Sequence, residues 1–455
     1  MGKRHPQPAG ARGVAIETLC RWQGSGRTVD HVLEPLLATL PARDRQLAKQ
    51  IVYGVLRHRQ YLDHVIAMMA SHPLRKMKPR TLAALRVGAY QLLLLDRVPP
   101  SAAVNETMRS LKAARQPGWL LGFVNGVLRA MARDRKSLPA PDAALADGRP
   151  LLNHPHWLLD RWQRRWGTRT AEAICRLNNT APPLVLRTNT RRTSRDELLT
   201  RLRAAGCDAI PGAHAPESIC LRSFAGPVTG LPGYGEGLFL VQDEAAQLAC
   251  LLAGPLRPGG RHLDGCAGLG GKTASLLLDA AGGVSITAVE PDPRRFRLLR
   301  ENLARLGLSP QAHPLAGTLE QFAASTRAAF DTIFIDAPCS GTGVIRRHPD
   351  IRWNRQPEDL DRYQNLQLNL LATAAGLLAA RGVLVYATCS LEQEENHQVV
   401  QRFLADNPDF SLDDPRRLLP ESAACLVDDH GCFHPLPGEA MDGFFAVRLI
   451  RDPGL

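Results

Sequence analysis

His262-Leu263-Asp264-Gly265-Cys266-Ala267-Gly268-Leu269-Gly270-Gly271-Lys272-Thr273 is the stretch on which the reading of the fold turns. Its Gly-Gly-Lys-Thr ending imitates an ATP-binding phosphate loop, but such a loop needs G-x-x-x-x-G-K-[ST]. Counting back from Gly271, the required glycine position holds Cys266, and the nearest glycine, Gly265, comes one residue too soon. What remains is strand, glycine turn and helix, the opening of a Rossmann-like sheet in which glycines let the backbone pass close to a ligand at a helix N-terminus. Glu290 closes the next strand candidate, 26 residues after Asp264, where an acid accepts hydrogen bonds from both ribose hydroxyls of a nucleoside. A purely structural glycine turn is the alternative, and the turn alone does not name the nucleoside.

Outward from this stretch, the rhythm after residue 248 is strand, turn, helix. Residues 285–290, 332–336 and 383–388 are apolar runs ending in polar residues, separated by helical stretches at 294–306 and 366–380. Buried parallel strands with crossover helices explain this, and ligands are then expected at the carboxyl ends of the strands. Two of those ends carry a cysteine: Cys339 in Asp336-Ala337-Pro338-Cys339-Ser340-Gly341-Thr342-Gly343, and Cys389 in Ala387-Thr388-Cys389-Ser390. Either alone reads as a packing cysteine. With the glycine turn they form one constellation on one sheet edge.

The rest of the 455 residues divides differently. Residues 11–136 show apolar positions at three- and four-residue spacing throughout, for example Leu47-Ile51-Leu56 and Val124-Val127-Leu128-Met131, which predicts an all-α domain. We place this helical domain at 1–137, a Pro/Ala/Asp/Gly-rich linker at 138–150, a small α+β module at 151–247, and the α/β domain at 248–455. The net charge of +12 is unevenly spread: residues 1–150 hold 24 basic and 10 acidic side chains, and the remainder 32 and 34. Such a basic region suits a polyanion, with nucleic acid the leading candidate and a merely solvated Arg-rich surface the alternative. No apolar run approaches the ~18 residues of a membrane span, and a cytoplasmic location is expected. The ten cysteines include no Cys-x-x-Cys pair, so neither a zinc ribbon nor a disulfide framework is expected. His430-Gly431-Cys432-Phe433-His434 lacks an evident fourth ligand, and no metal is expected there.

The α/β domain resembles the RNA cytosine-C5 methyltransferases, specifically the bacterial small-subunit rRNA branch of the RsmB/Sun type. The resemblance is carried by DGCAGLGGKT (264–273), DAPCSGTGVIRRHPDI (336–351), YATCSLEQEEN (386–396) and DGFFAVRL (442–449). The helical domain resembles the RNA-binding factor NusB in LAKQIVYGVLRHRQYLD (47–63), LRVGAYQLL (85–93), PPSAAVNE (99–106) and FVNGVLR (123–129). The implied architecture is a NusB-like all-α domain, a small α+β RNA-binding module and a Rossmann-like methyltransferase domain. The implied cofactor is S-adenosyl-L-methionine, held by Asp264, Cys266, Ala267, Gly268, Leu269, Gly270, Gly271, Lys272, Glu290 and Asp336. Cys389 is implied as the nucleophile, Cys339 as the residue that assists release, and Asp336 as the acid that orients the base. The implied partner is small-subunit (16S) ribosomal RNA, and a monomer is expected.

This sequence also departs from the family pattern. Gly268-Leu269 stand where Ala-Pro is usual, Glu290 stands where Asp is usual, and 312–322 lacks the Asp that follows the third strand. These departures motivate an alternative, a catalytically weakened RNA-binding or ribosome assembly factor. The other alternative is the same methylation on tRNA or another RNA. Lys272 reads either as a solvent-facing lysine or as a group near Asp264 or the cofactor. Arg346-Arg347-His348-Pro349-Asp350-Ile351-Arg352-Trp353 offers charges and an aromatic ring, and is expected to contact phosphates and stack on a base.

Overall fold

The computed structural model describes residues 10–143, 148, 150–224 and 226–452. The 138–150 linker therefore lies partly outside the described residues. The chain forms two compact units: residues 1–181 with 345–355, and residues 182–344 with 356–455.

The first unit is helical, as its periodicity predicts. Seven helices run from Gly10–Trp22 to Gly118–Asp134, followed by His156–Asn178, which is kinked at Gly167 where φ is +77°. Val14, Leu33, Ile51, Val65, Leu85, Val124 and Leu128 have no exposed surface and meet in one core, as a 3.6-residue apolar stripe on each helix requires. By compactness the helix His156–Asn178 belongs to this unit, whereas the expected boundary at residue 151 placed it with the α+β module.

Residues 345–355 complete the helical unit from far away in sequence. Arg352 has no exposed surface; its guanidinium donates to Asn153 O (3.0 Å), Asn178 O (2.8 Å) and Asn179 Oδ1 (2.6 Å). Two of these acceptors lie at the C-terminus of His156–Asn178, where carbonyls lack helical partners and the helix dipole favours a cation. Trp353 Nε1 donates to Leu56 O (2.7 Å), the Arg59 guanidinium lies over the Trp353 ring, and Asp350 Oδ2 accepts from Val29 N (2.9 Å). For Arg352 and Trp353 this corrects the expectation of phosphate contact and base stacking, whereas His348 of the same segment is exposed. Arg352 and Trp353 are spent on folding, because a planar five-donor cation and an indole N–H satisfy buried carbonyls that nothing else reaches.

The second unit holds two sheets. The smaller has order β2-β3-β1-β4, all antiparallel, from β1 (Leu184–Thr188), β2 (Ala209–Pro211), β3 (Ser218–Leu221) and β4 (Phe239–Val241), with the helix Arg195–Ala204 beside it. That helix starts in a capping box: Ser194 Oγ accepts from Glu197 N, and the Glu197 carboxylate accepts from Ser194 N.

The larger sheet has order β10-β11-β9-β8-β5-β6-β7. Its strands are β5 (Arg261–Asp264), β6 (Ser285–Glu290), β7 (Ala312–Ala316), β8 (Phe330–Asp336), β9 (Leu378–Thr388), β10 (Phe410–Asp413) and β11 (Phe445–Arg451). β5 to β9 are parallel, and β11 and β10 are antiparallel additions at one edge. β9 begins at Leu378, so residues expected as the end of a helix are already strand; the helix stops at Leu377. The order reverses at β5, which opens a crevice between the carboxyl ends of β5, β6 and β8. The glycine turn, Glu290 and Asp336 all lie on that edge. No helix among the described residues is long and apolar enough to cross a membrane.

Candidate active site

The turn after β5 owes its shape to two glycines in the left-handed region, Gly268 (φ +57°) and Gly270 (φ +85°). Gly270 is the N-cap of the helix Gly271–Asp279, and its N–H donates to Ala267 O at 2.8 Å. Asp264 lies beneath the turn with no exposed surface. Its carboxylate accepts from Thr273 Oγ1 (2.6 Å) and Cys266 N (3.3 Å), tying the strand end to the helix's first turn. Burial pushes its pKa up to about 6, against the Thr273 hydrogen bond. Any influence of Asp264 on a bound ligand therefore passes through the shape of the turn. Ala267 is buried and Cys266 half-buried, and burial pushes the Cys266 thiol well above its ordinary range.

Glu290, at the end of β6, reaches back to this turn. Its Oε2 accepts from Gly268 N (2.9 Å) and its Oε1 from Asp292 N (2.8 Å). The longer acid and the glycine at 268, read in the sequence as two separate departures, are thus hydrogen-bonded to each other. Each carboxylate oxygen keeps a further lone pair, so the pair of hydroxyls on a ribose remains an acceptable ligand. Leu269 lies at the tip of the turn, 49% exposed, and its carbonyl accepts from Asn302 Nδ2 at 3.0 Å.

Lys272 is not the solvent-facing lysine of the first reading: it lies near enough to Asp264 to favour that carboxylate's charged form. It pairs with Asp336 across the crevice, Nζ to Oδ2 at 2.5 Å, with its ammonium over the Phe444 ring. Burial alone would lower the Lys272 pKa; the Asp336 carboxylate overrides it and holds the ammonium above the ordinary lysine range. β8 ends in Asp336 and β9 in Thr388, and the parallel register places Asp336 beside Ala387. That register brings the two loops together, with Cys339 Sγ and Cys389 Sγ 3.3 Å apart. The hydrogen bond to Cys389, with burial, holds the Cys339 thiol well above its ordinary pKa, so it remains protonated at neutral pH.

Beneath the two sulfurs lies a group that the sequence did not single out. Glu395 is fully buried, and its carboxylate accepts from Ser340 N (2.7 Å), Ser340 Oγ, Ser390 Oγ (2.5 Å) and Gln367 Nε2 (3.2 Å). One side chain thus holds the residue after each cysteine. Burial raises its pKa, and the hydrogen bonds from Ser340, Ser390 and Gln367 oppose that rise. Gly343 N donates to Cys389 O (3.0 Å) and Gly443 N to Gly343 O (3.0 Å). A Cβ at Gly343 would collide with the Gly443 backbone, so the DGFF turn and the Cys389 loop can approach only over a glycine. The acidic run 392–395 was the available signal for Glu395, but it does not say which acid points inward.

The comparisons agree with this geometry. Residues 252–450 match the family described as 16S rRNA methyltransferase RsmB/F, residues 9–133 the NusB family, and residues 154–229 the ferredoxin-like domain of RsmF/B-like methyltransferases. The ribosomal RNA small subunit methyltransferase B of Klebsiella pneumoniae subsp. pneumoniae is 37% identical over 442 residues, 97% of this chain and 98% of that protein. The protein of the same name from Citrobacter koseri gives the same figures. Among solved structures, PH0851 superposes with a TM-score of 0.76 at 23% identity, covering 96% of this chain and 98% of that one, a likeness of fold. A methyltransferase homolog protein from Pyrococcus horikoshii is 29% identical with a TM-score of 0.55, covering 66% of this chain and 96% of that one. With a helical NusB domain, a ferredoxin-like module and a glycine-turn sheet edge all matched over nearly its full length, the chain belongs to the RsmB/F family of 16S rRNA methyltransferases.

Proposed function

We propose that this chain methylates carbon 5 of a cytosine in 16S rRNA through a covalent bond between Cys389 and carbon 6 of the base. The observation that carries this reading is the pair of sulfurs 3.3 Å apart at two neighbouring strand ends, beside the Lys272–Asp336 pair. The glycine turn and Glu290 would hold S-adenosylmethionine, which would supply an electrophilic methyl group.

Carbon 5 of cytosine is a weak nucleophile. Attack of the Cys389 sulfur on carbon 6 forms a C–S bond and moves the ring electrons to carbon 5, which can then take the methyl group; this is covalent catalysis. Asp336 is suited to accept from the exocyclic amine, and from ring nitrogen 3 once that nitrogen is protonated, while the Lys272 ammonium fixes its position and charge. After transfer the proton on carbon 5 passes to a water molecule acting as base, and the electrons of that C–H bond return to the ring and expel the Cys389 sulfur as a thiolate. Cys339, held as a thiol, is placed to donate a hydrogen bond to that departing sulfur. The cytosine must be unstacked to reach this edge, since a stacked base hides carbon 6.

A denaturing gel of labelled RNA incubated with S-adenosylmethionine tests the assignment. Cys389→Ala should give neither product nor adduct. Cys339→Ala should accumulate a protein–RNA adduct, and the double variant none. Turnover or adduct in Cys389→Ala would overturn the nucleophile; an inactive, adduct-free Cys339→Ala would remove the role in release.

A further inference from the structure

The segment His430–Cys432–His434 gains in the structure the partners it lacked in the sequence. Asp428, Cys432 and His434 lie on a short hairpin in which Asp428 N donates to Cys432 O (2.9 Å), and Val427 bridges Phe433, which in turn bridges Ala446 of β11. Along this extended stretch residues alternate in direction, so Phe433 enters the core while Cys432 and His434 share the other side. Asp428 Oδ1 is used inside the turn, accepting from His430 N (2.9 Å) and Cys432 N (3.0 Å). Its Oδ2 points away from the turn, 2.7 Å from His397 Nε2 and 3.6 Å from His434 Nδ1. His397 opens the helix His397–Asp406, 31 residues before Asp428.

We propose that His397, Asp428, Cys432 and His434 form a four-ligand site for Zn²⁺ that fastens the 427–434 hairpin to the scaffold of the Cys389 loop. One ligand atom from each of His397, Asp428 and Cys432 falls within a sphere in which all lie within 4.8 Å of one another. Bonds of about 2.0–2.3 Å to zinc require ligand-to-ligand edges of roughly 3.3–3.8 Å in a tetrahedron. The His434–Asp428 edge already has that length, and closing the tetrahedron requires the His434 ring to turn toward the group formed by His397, Asp428 and Cys432. The short His397–Asp428 contact is a hydrogen bond through a proton that the metal would replace. His397 Nδ1 is buried with no hydrogen-bond partner among the described residues, so the ring's polar engagement is through Nε2, into the cluster. Two imidazoles, a carboxylate and a thiolate suit zinc, whereas magnesium and calcium favour all-oxygen shells.

A closed four-ligand set is structural in character. The residue before His397 is Asn396, whose side chain accepts from Thr388 Oγ1 (2.7 Å) and donates to Ser390 O (2.9 Å), on either side of Cys389. Phe445, paired with Thr388 across the strands, packs its ring against both His397 and His434, with centroids 5.0 and 5.6 Å apart. The metal would therefore stiffen the base of the nucleophile loop without touching the reaction, and the proposal stands or falls independently of the cytosine chemistry.

The test uses the full chain, purified without a histidine tag. Elemental analysis should find about one zinc per chain, as a structural site implies. After chelation, cobalt(II) uptake should produce a thiolate-to-cobalt charge-transfer band with the strong visible bands of tetrahedral coordination. Cys389→Ala should keep the charge-transfer band and Cys432→Ala should lose it. Chelator should lower the melting temperature of the wild type and leave that of His397→Ala unmoved. A wild-type protein that takes up neither metal overturns the proposal whatever the variants do, leaving only a His–Asp ion pair. So does a band lost in Cys389→Ala and kept in Cys432→Ala, which would put the metal on the catalytic sulfurs.

Discussion

The motif block 336–351 runs on without a break into Arg352 and Trp353, yet this stretch divides between the two units of the molecule, 336–344 in one and 345–355 in the other. The first part lines the ligand edge of the sheet: Asp336 faces Lys272, Cys339 faces Cys389, and Gly343 supports the Cys389 carbonyl. The second part is richer in charge, yet its Arg352 and Asp350 are buried among helices. The difference teaches that charge in a motif is no guide to exposure. A guanidinium offered three carbonyl-type acceptors at a helix end is better placed inside the helical unit than in water. The first part keeps its groups facing a crevice; in the second, the terminal nitrogens of Arg352 are spent on buried oxygens.

The largest expected effect sharpens this contrast at the reactive end. Cys389→Ala should reduce methylation by ~10³-fold or more with only a small change in the unfolding midpoint, because on the proposed mechanism it deletes the attacking atom, while its side chain is only partly buried against the core. Product formation and a urea melt on one preparation check both halves.

Arg352→Ala should do the reverse. It leaves Asn153 O, Asn178 O and Asn179 Oδ1 without their donor, which costs about 3 kcal/mol or more at roughly 1–3 kcal/mol per buried group. The folded fraction should retain its rate constant. A variant of unchanged stability but lost RNA affinity would restore the phosphate-contact reading and break the comparison.

Asp264 gives a pH-dependent test at the turn. Its pKa is raised to about 6 in the folded state, above the ordinary carboxylate value. The folded protein therefore binds this proton more tightly than the unfolded chain. The stabilisation from protonation is fully present below about pH 4 and is lost as pH rises through about 6. Asp264→Asn, which cannot ionise, should remove that slope, a difference on the order of 3 kcal/mol between pH 4 and pH 7 at ~1.4 kcal/mol per unit. Parallel pH–melting curves for wild type and variant would count against the buried position of Asp264.

Glu395→Gln probes positioning under the two cysteines. Ser340 Oγ and Ser390 Oγ both donate to Oε2, and Ser340 N and Gln367 Nε2 to Oε1, so Gln, which accepts at one oxygen only, turns an NH2 group toward one of the two donor pairs. A rate constant lower by ~10²-fold with cofactor affinity unchanged is expected for a misplacement of this kind. Equal losses in rate and cofactor binding would mark a general structural defect instead.

The smallest effect concerns RNA. Arg75, Lys76 and Lys78 are exposed on the helical unit near Trp119, which is 62% exposed. Changing the three to Gln should lower the slope of log affinity against log salt by up to ~3, about one per phosphate contact. Deleting the whole helical region is a poorer experiment than its sequence suggests, because Trp353 and Arg352 would lose their surroundings.

Much of this protein was legible before any coordinate. Helical periodicity predicted the helices of the first unit, buried apolar runs predicted the parallel strands, and the glycine turn, Glu290 and the two strand-end cysteines lie, as expected, at the carboxyl edge of the sheet. These features are local: a 3.6-residue stripe, a left-handed turn or an apolar strand is a property of neighbouring residues. What only the tertiary structure decided is which distant groups meet. Lys272 finds Asp336 because β5 lies beside β8; Cys339 finds Cys389 because β8 lies beside β9. Glu395, rather than its acidic neighbours, anchors the residue after each cysteine, and Arg352, next to the 336–351 block in sequence, is drawn in among the helices. His397 meets Asp428, 31 positions further along the chain, and Cys432. Such pairings follow from strand order and from which buried donors and acceptors still lack partners, and both are set by the packed whole, since no single segment contains the two sides of the bond.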